Sequence, residues 1–295
     1  MSTKILVTGV TGFIGRNLRS ALEEAGGFEL VGLVQGKGDC KGIELLECDL
    51  RQPIEELPRV DIVFHLAALV RSDEPYSSES FFKANAYGTL NLLHAMQKNS
   101  INKIIYASTM NVFGANELNV SEEHVKKPKN PYGLSKLIGE EYCRLYAENL
   151  GFKAVVLRYS GVYGKGRRDG TVYSFIKNAL ENKPIKIVGD GSQKWDPVWI
   201  GDVTKANLSA IGFIQKMTSS FEDFNIGYGQ AISVNELAGE VSKATKTSVE
   251  TVHEGVKDDL NFCFNISKAR KFLGFTPTPI SLSLKEFAEE VRRGD

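Results

Sequence analysis

The amino-acid sequence predicts an α/β protein built on a doubly wound parallel sheet, followed by a small, discontinuous second domain toward the C-terminus. Three observations lead there. Short runs rich in β-branched residues recur at Lys4–Thr8, Glu29–Val34, Ile43–Glu47, Asp61–Leu66, Lys103–Ser108 and Lys153–Tyr159. These runs are continuously apolar rather than alternating, as expected of strands covered on both faces. Helical patterns at Phe13–Ala25, Ser80–Gln97 and Tyr132–Asn149 fall between some of them, and strand–helix–strand order implies parallel pairing with crossovers.

Between the first strand and the first helix stands Gly9-Val-Thr-Gly12-Phe-Ile-Gly15. Glycines so placed permit a tight turn and close approach of backbone to a pyrophosphate at the positive end of the helix. The rival reading, an NTPase phosphate loop, needs Gly-Lys-Ser/Thr after the glycines. Here Arg16 and Asn17 follow Gly15, so that reading fails. The second strand ends in Val34-Gln35-Gly36-Lys37, without the acid that would bind the ribose hydroxyls of NAD. Nothing there repels a 2′-phosphate, and Arg16 and Lys37 either reach one or are solvated cations. NAD and NADP both stay open. Asp49, after the third strand, is a candidate for the adenine pocket or an exposed turn residue.

The fifth strand runs into Ala107-Ser108-Thr109-Met110-Asn111-Val112-Phe113-Gly114. A hydroxyl at Thr109 either caps the strand end or hydrogen-bonds a substrate oxygen. The next helix opens behind Asn130-Pro131 with Tyr132-Gly-Leu-Ser-Lys136, and a four-residue spacing puts Tyr132 and Lys136 on one face. A free phenol titrates near ~10 and is a poor base at neutral pH. A neighbouring ammonium, plus the positive oxidised nicotinamide, would stabilise the phenolate and suit the pair to general acid–base work on an alcohol or carbonyl.

After Tyr163 the rhythm changes. A basic glycine-rich loop, Gly164–Gly170, precedes a helix at Thr171–Glu181, a strand near Ile185–Val188 and a turn at Gly189-Asp190-Gly191. Ile200–Phe213 reads as a helix and Phe224–Ile226 as one more core strand. Val234–Thr245 and Leu282–Arg293 read as helices, with a proline-containing turn at Thr276–Pro279. The domain bounds expected from this pattern are 1–164 plus 196–229, and 165–195 plus 230–295.

Composition narrows the function class. Lys plus Arg and Asp plus Glu each number 36 in 295 residues, so no global field draws the chain to nucleic acid or to an anionic membrane. Four cysteines, Cys40, Cys48, Cys143 and Cys263, lack CxxC spacing, which argues against a zinc site or a disulfide framework and fits reduced thiols. The longest apolar stretch, Ile62 to Val70, is too short to span a bilayer and is interrupted by His65. With the first strand starting within five residues of the N-terminus, the expectation is a cytoplasmic protein without metal.

Taken in order, these pieces resemble the extended short-chain dehydrogenase family, the NAD-dependent epimerase/dehydratase group that acts mostly on nucleotide sugars. The likeness includes His65-Leu-Ala67-Ala68, Asn85-Ala-Tyr-Gly88-Thr89, Pro131-Tyr132-Gly-Leu-Ser-Lys136 and Leu157-Arg158-Tyr159 before Val162-Tyr163-Gly164. It continues in Gly189-Asp190-Gly191-Ser192-Gln193, Ile266-Ser267-Lys268-Ala269 and Leu273-Gly274-Phe275. The resemblance implies a Rossmann sheet with a small C-terminal substrate domain. It implies that Gly9, Gly12 and Gly15 hold a pyrophosphate, with Phe13 and Ile14 at the helix start. Gln35 would face the ribose, Asp49 and Leu50 would flank adenine, and Ala67 and Ala68 would line the cofactor path. Tyr132 would be the acid/base, Lys136 would hold the nicotinamide ribose, Thr109 would stand for the family's catalytic serine or threonine, and Asn85 would be a structural hydrogen-bonder.

Departures bear on the substrate. Gly161 stands where the family often has asparagine before Val-Tyr-Gly, Trp195 where an arginine often precedes Asp196, and Gly255–Phe264 contains no arginine. Arg167, Arg168 and Lys194 are candidates to replace the lost charge, or are solvated. Gly161, Arg168 and Trp195, with Thr109, are therefore the expected substrate contacts. Trp195 either lines the pocket or packs against Pro197 and Trp199. Met110-Asn111 replaces the Asp-Glu pair of dehydratases, so a 4-epimerase working through a transient ketone ranks first. An NAD(P)H-dependent ketoreductase ranks second, and a non-catalytic dinucleotide sensor is the rival from another class. Apolar residues on more than one helix face, among them Phe81, Phe82, Leu92, Leu145 and Tyr146, lead to the expectation of a homodimer.

Overall fold

The computed structural model describes residues 2–36, 40, 42–71, 77–114, 116–256 and 261–294. Lys37, a candidate contact for a 2′-phosphate, lies outside the described residues. In chain order the first elements are β1 (Thr3–Thr8), α1 (Phe13–Ala25), β2 (Phe28–Val34), β3 (Glu44–Glu47) and β4 (Ile62–His65). Helix α2 (Ser78–Phe81) passes through a π-helical turn, Phe82–Tyr87, into α3 (Gly88–Lys98). Then come β5 (Lys103–Thr109), a 3₁₀ turn at Met110–Val112, β6 (Leu118–Val120), α4 (Pro131–Asn149), β7 (Lys153–Tyr159) and β8 (Gly161–Tyr163). The rest of the chain forms α5 (Gly170–Leu180), β9 (Ile185–Val188), β10 (Lys194–Trp195), β11 (Pro197–Trp199), α6 (Ile200–Lys216), β12 (Phe221–Ile226) and β13 (Ile232–Ser233). It closes with α7 (Val234–Thr245), β14 (Thr251–Glu254), β15 (Cys263–Phe264), α8 (Ser267–Leu273) and α9 (Ile280–Arg293).

Seven strands form one sheet in the order β12-β7-β5-β4-β1-β2-β3. β1 pairs in parallel with both β2 and β4, so the strand order reverses about β1. In open α/β sheets that switch point leaves a crevice at the carboxyl ends of the strands, where ligands bind. The loops after β1 and β4 both emerge there. Beneath it, Leu6, Val31, Val63, Ile104 and Val156 of the sheet pack with Leu92, Leu93 and Met96 of α3 and Tyr146 of α4. The doubly wound sheet expected from the sequence is present.

By internal contacts the chain forms two compact units. One comprises Met1–Gly114, Glu123–Arg158 and Thr204–Phe224, and carries the sheet. The other comprises Ala115–Glu122, Tyr159–Val203 and Asn225–Asp295. In the second unit Asp196 accepts the Gly229 and Phe264 amides at 2.9 and 3.1 Å, and Asp202 accepts the Thr278 amide and hydroxyl, both at 2.7 Å. Tyr163, Trp199 and Phe287 form an aromatic cluster there. Helix α7 starts with a reciprocal capping box between Ser233 and Glu236, a local signal present in the sequence.

Two features differ from the sequence reading. The single helix expected over Ser80–Gln97 is three segments, because the π turn inserts an extra residue where Asn85 reaches out to bond other elements. The short strands β6, β8, β10, β11, β13, β14 and β15 and the helix α8 were not foreseen. Each strand has two to four residues and pairs with a partner remote in sequence, so no local periodicity announces it.

Candidate active site

The sheet unit contains a groove of about 790 Å³, lined by Gly9, Thr11 and Gly12 after β1 and by Leu33, Val34 and Gln35 at the end of β2. Cys48, Asp49, Leu50 and Arg51 and the Leu66–Leu69 loop complete much of its wall. Gly9 has φ +69°, and a Cβ there would lie 2.7 Å from the Ala67 amide nitrogen, so the two loops meet only without a side chain. A Cβ at Gly15 would overlap the Gly9 carbonyl oxygen, which fixes how closely α1 abuts the turn. Helix α1 has no side-chain N-cap and no acid in its first turn. Its positive dipole end can therefore face an anion, and the groove fits a dinucleotide pyrophosphate. Gly9, Gly12, Gln35, Asp49, Leu50, Ala67 and Ala68 line the groove, and Phe13, Ile14 and Gly15 open the helix that follows it.

Beneath the groove runs a directed chain of hydrogen bonds. Thr89 Oγ1 donates to the Asn85 carbonyl at 2.5 Å, so it accepts from His65 Nε2 at 2.9 Å. His65 Nδ1 then accepts the Thr8 hydroxyl at 2.8 Å, and Thr8 Oγ1 accepts the Ala67 amide at 3.1 Å. Burial, with the Lys136 charge adding to it, pushes the His65 pKa down to about 3, so the ring is neutral, as this chain of donors requires. The Asn85 amide bonds both backbone groups of Leu69, at 2.8 and 2.9 Å, and donates to Ser135 Oγ at 2.9 Å. It therefore ties the groove wall to the helix that carries Tyr132 and Lys136, the structural part expected of it.

That helix begins where the sequence placed it. Asn130 Oδ1 accepts the Gly133 amide at 2.7 Å, and Pro131 occupies the first turn, where its missing N–H costs nothing. Thr109, at the end of β5, stands close enough to the Tyr132 phenol to lower its pKa. Thr109 Oγ1 accepts from Asn111 Nδ2 at 3.1 Å, which fixes its rotamer. The Tyr132 ring is partly exposed, whereas its hydroxyl lies deep enough that burial pushes its pKa up to about 12 against the opposing effect of Thr109. Lys136 is buried with its ammonium 4.1 Å from the Tyr106 ring centre, and burial lowers its pKa to about 7 while Cys143 and Glu140 oppose the shift. Burial raises the phenol pKa, so the expected drop calls for the positive oxidised nicotinamide as well as Lys136.

Sequence reasoning missed the ionic network behind this pair. Glu140, one turn beyond Lys136, takes two hydrogen bonds from Arg158, from Nε at 2.9 Å and Nη2 at 2.8 Å, and a short one from Ser108 Oγ. Arg158 Nη2 also reaches Asp223 at 2.6 Å. The i, i+4, i+8 spacing of Tyr132, Lys136 and Glu140 was the signal available in the chain.

In the second unit, Trp195 lies over Gly161, where a Cβ would come within 2.5 Å of Trp195 Cζ3. The indole thus fills the space above Gly161. Trp195 Nε1 is buried without a partner among the described residues. Arg168 Nη1 stands 3.5 Å from Glu290, and Arg167 pairs with Asp169 at 2.7 Å while donating to the Val162 carbonyl.

The chain is similar to known proteins over nearly its whole length. An uncharacterized UDP-glucose epimerase of Bacillus subtilis, YtcB, is 32% identical over 96% of this chain and 95% of its own. The crystal structure of a UDP-glucose 4-epimerase of Thermotoga maritima with UDP-glucose superposes with a TM-score of 0.88 at 28% identity, covering 99% of each chain. A UDP-glucuronic acid 4-epimerase of Bacillus cereus, crystallised with NAD, gives 0.86 at 29% identity and the same coverage. Residues 5–227 match the model of the NAD dependent epimerase/dehydratase family. A glycine-walled groove at the switch point, a Tyr–Thr pair backed by a buried lysine and this match agree, and the chain belongs to the NAD-dependent epimerase/dehydratase family.

Proposed function

We propose that this protein is an NAD(P)-dependent sugar-nucleotide 4-epimerase. The observation that carries the reading is Tyr132 beside Thr109, one helical turn from buried Lys136, in the unit that holds the glycine-walled groove. A nicotinamide cofactor, when bound, supplies the hydride acceptor and donor and, in its oxidised form, a positive charge. Gly9, Gly12 and Gly15, with the helix start at Phe13 and Ile14, hold its pyrophosphate. Gln35, Asp49 and Leu50 receive the adenosine, Ala67 and Ala68 line its path, and Lys136 holds the nicotinamide ribose.

The protein's own part in the reaction is the proton. Tyr132 and Thr109 lie side by side, so one substrate hydroxyl can bond both. Tyr132 takes the hydroxyl proton as the carbon becomes a carbonyl, and returns a proton to that oxygen afterwards. Inversion follows when the carbonyl presents its other face before the carbon is reduced again. The relatives are UDP-glucose and UDP-glucuronate epimerases, which supports a nucleotide-sugar substrate. The candidate substrate contacts are Gly161, Arg168 and Trp195, with Thr109.

The test is NMR of UDP-glucose and UDP-glucuronate incubated with the protein. Inversion at C4 of either, without net consumption of cofactor, is expected. Stoichiometric oxidation of added NADPH by a 4-keto sugar nucleotide, without inversion, would replace the epimerase by a ketoreductase.

Phe82, Tyr87, Leu134 and Leu145 are exposed apolar residues on the helical segments around Phe82–Lys98 and on α4. They support a homodimer, whereas Phe81, Leu92 and Tyr146 are buried in the unit itself. Sedimentation at micromolar concentration tests it, a monomer refuting it. Four unpaired cysteines support a cytoplasmic protein. No helix among the described residues is long and apolar enough to cross a membrane.

A further inference from the structure

We infer that the cofactor groove does not discriminate against a 2′-phosphate, so that NADP and NAD bind this protein with comparable affinity. The inference rests on the dinucleotide reading of the groove given above.

In a doubly wound sheet, selection against NADP is done by a carboxylate at the end of the second strand, which bonds the ribose diol and repels a phosphate. Here β2 ends at Val34, and the next residue, on the groove wall, is Gln35. Its carboxamide is uncharged and carries both an acceptor oxygen and an NH₂ donor. It can bond a ribose hydroxyl, and it can equally donate to a phosphate oxygen.

The acid found nearby cannot take over the selection. Among the described residues lining the groove, Asp49 is the one carboxylate. Arg51 grips it from three sides. Its Nε lies 2.9 and 3.1 Å from the two carboxylate oxygens, its Nη2 lies 2.8 Å from Oδ2, and its own amide is 3.0 Å from Oδ1. The guanidinium holds the Asp49 carboxyl below the usual carboxylate range, so the acid is charged but countered at contact distance. An approaching 2′-phosphate meets a neutral pair rather than a free anion. The remaining ionisable side chains on the wall with formal charge at neutral pH, Arg71 and Lys83, are cations.

The experiment is fluorescence titration of the full chain, stripped of retained nucleotide with charcoal, with NADH and with NADPH. Dissociation constants within about tenfold of each other, a difference of about 1.4 kcal/mol at most, are expected. Gln35 is exposed, so Gln35→Asp leaves the fold intact, and it should weaken NADPH at least tenfold while NADH binds as before or more tightly. A preference beyond tenfold either way in the unaltered protein, or a Gln35→Asp variant with unchanged NADPH affinity, would overturn the inference and leave the dinucleotide reading standing. Failure of both nucleotides to bind would overturn that reading itself.

Discussion

Glu140 and Arg158 meet through two parallel hydrogen bonds in a region without solvent access, one turn along α4 from Lys136. The carboxylate also takes the Ser108 hydroxyl, and Ser108 immediately precedes Thr109. Glu140 therefore ties α4 to β7 through Arg158 and to β5 through Ser108, and α4 and β5 are the elements that carry Tyr132 and Thr109. A buried charge stripped of its partner costs about 3–5 kcal/mol, far more than an exposed pair is worth. Arg158→Met should destabilise the protein by that order, read as a lower midpoint in urea. The double variant Arg158→Met/Glu140→Leu should recover part of the loss, since no bare carboxylate remains beside Ser108. Equal midpoints for the single and double variants would contradict this account.

Tyr132→Phe removes one oxygen and keeps the ring that packs edge-on to Phe81. Nucleotide binding should persist. Turnover should fall by about 10²–10⁴-fold, the usual size of a lost general acid–base group. Thr109→Val should act in the same direction and less strongly, since the phenol remains. Wild-type turnover in the Tyr132 variant would remove it from the chemistry.

Buried Lys136 gives the cofactor-free protein a pH signature. Its folded pKa, about 7, lies below its unfolded value, so between pH 7 and about 10.4 the unfolded chain binds more protons. Stability from this group therefore rises with pH across that window and is lost as pH falls through 10 toward 7. Lys136→Met should abolish that slope without lowering stability at pH 7. Denaturation midpoints measured at pH 7, 8 and 9 check the sign, and a slope that survives the substitution assigns it elsewhere.

Gly161 and Trp195 form a matched pair. Gly161→Asn must displace the indole that a Cβ would already crowd, and overpacking of this kind costs about 1–3 kcal/mol. Adding Trp195→Ala should restore most of that stability. Calorimetry with UDP-glucose on the same variants then separates packing from recognition. If the indole contacts substrate, Trp195→Ala alone weakens binding; if it only packs, affinity holds.

The glycine turn, the Asn130–Pro131 helix start and the Tyr132/Lys136 spacing were legible in the chain because each is local. A turn needs glycine at a positive φ, a helix needs a cap, and a four-residue spacing shares a face. The α/β alternation likewise follows from which residues are continuously apolar. Other features had no such signal. Asn85 belongs to an unremarkable helical pattern until the π turn sends its amide to Leu69 and Ser135. The indole of Trp195 could stack on a ligand or on a neighbour, and only the fold seats it on Gly161. The Tyr132 and Lys136 pKa values depend on how much water the packed helix excludes, which no spacing encodes. Sequence by itself determined the sheet, the glycine turn and which residues could carry the chemistry, because these rest on short-range backbone and periodicity rules. Tertiary structure alone decided burial, the directed Thr8–His65–Thr89 chain and the pairing of Glu140 with Arg158, because each depends on residues far apart in the chain being brought together out of water.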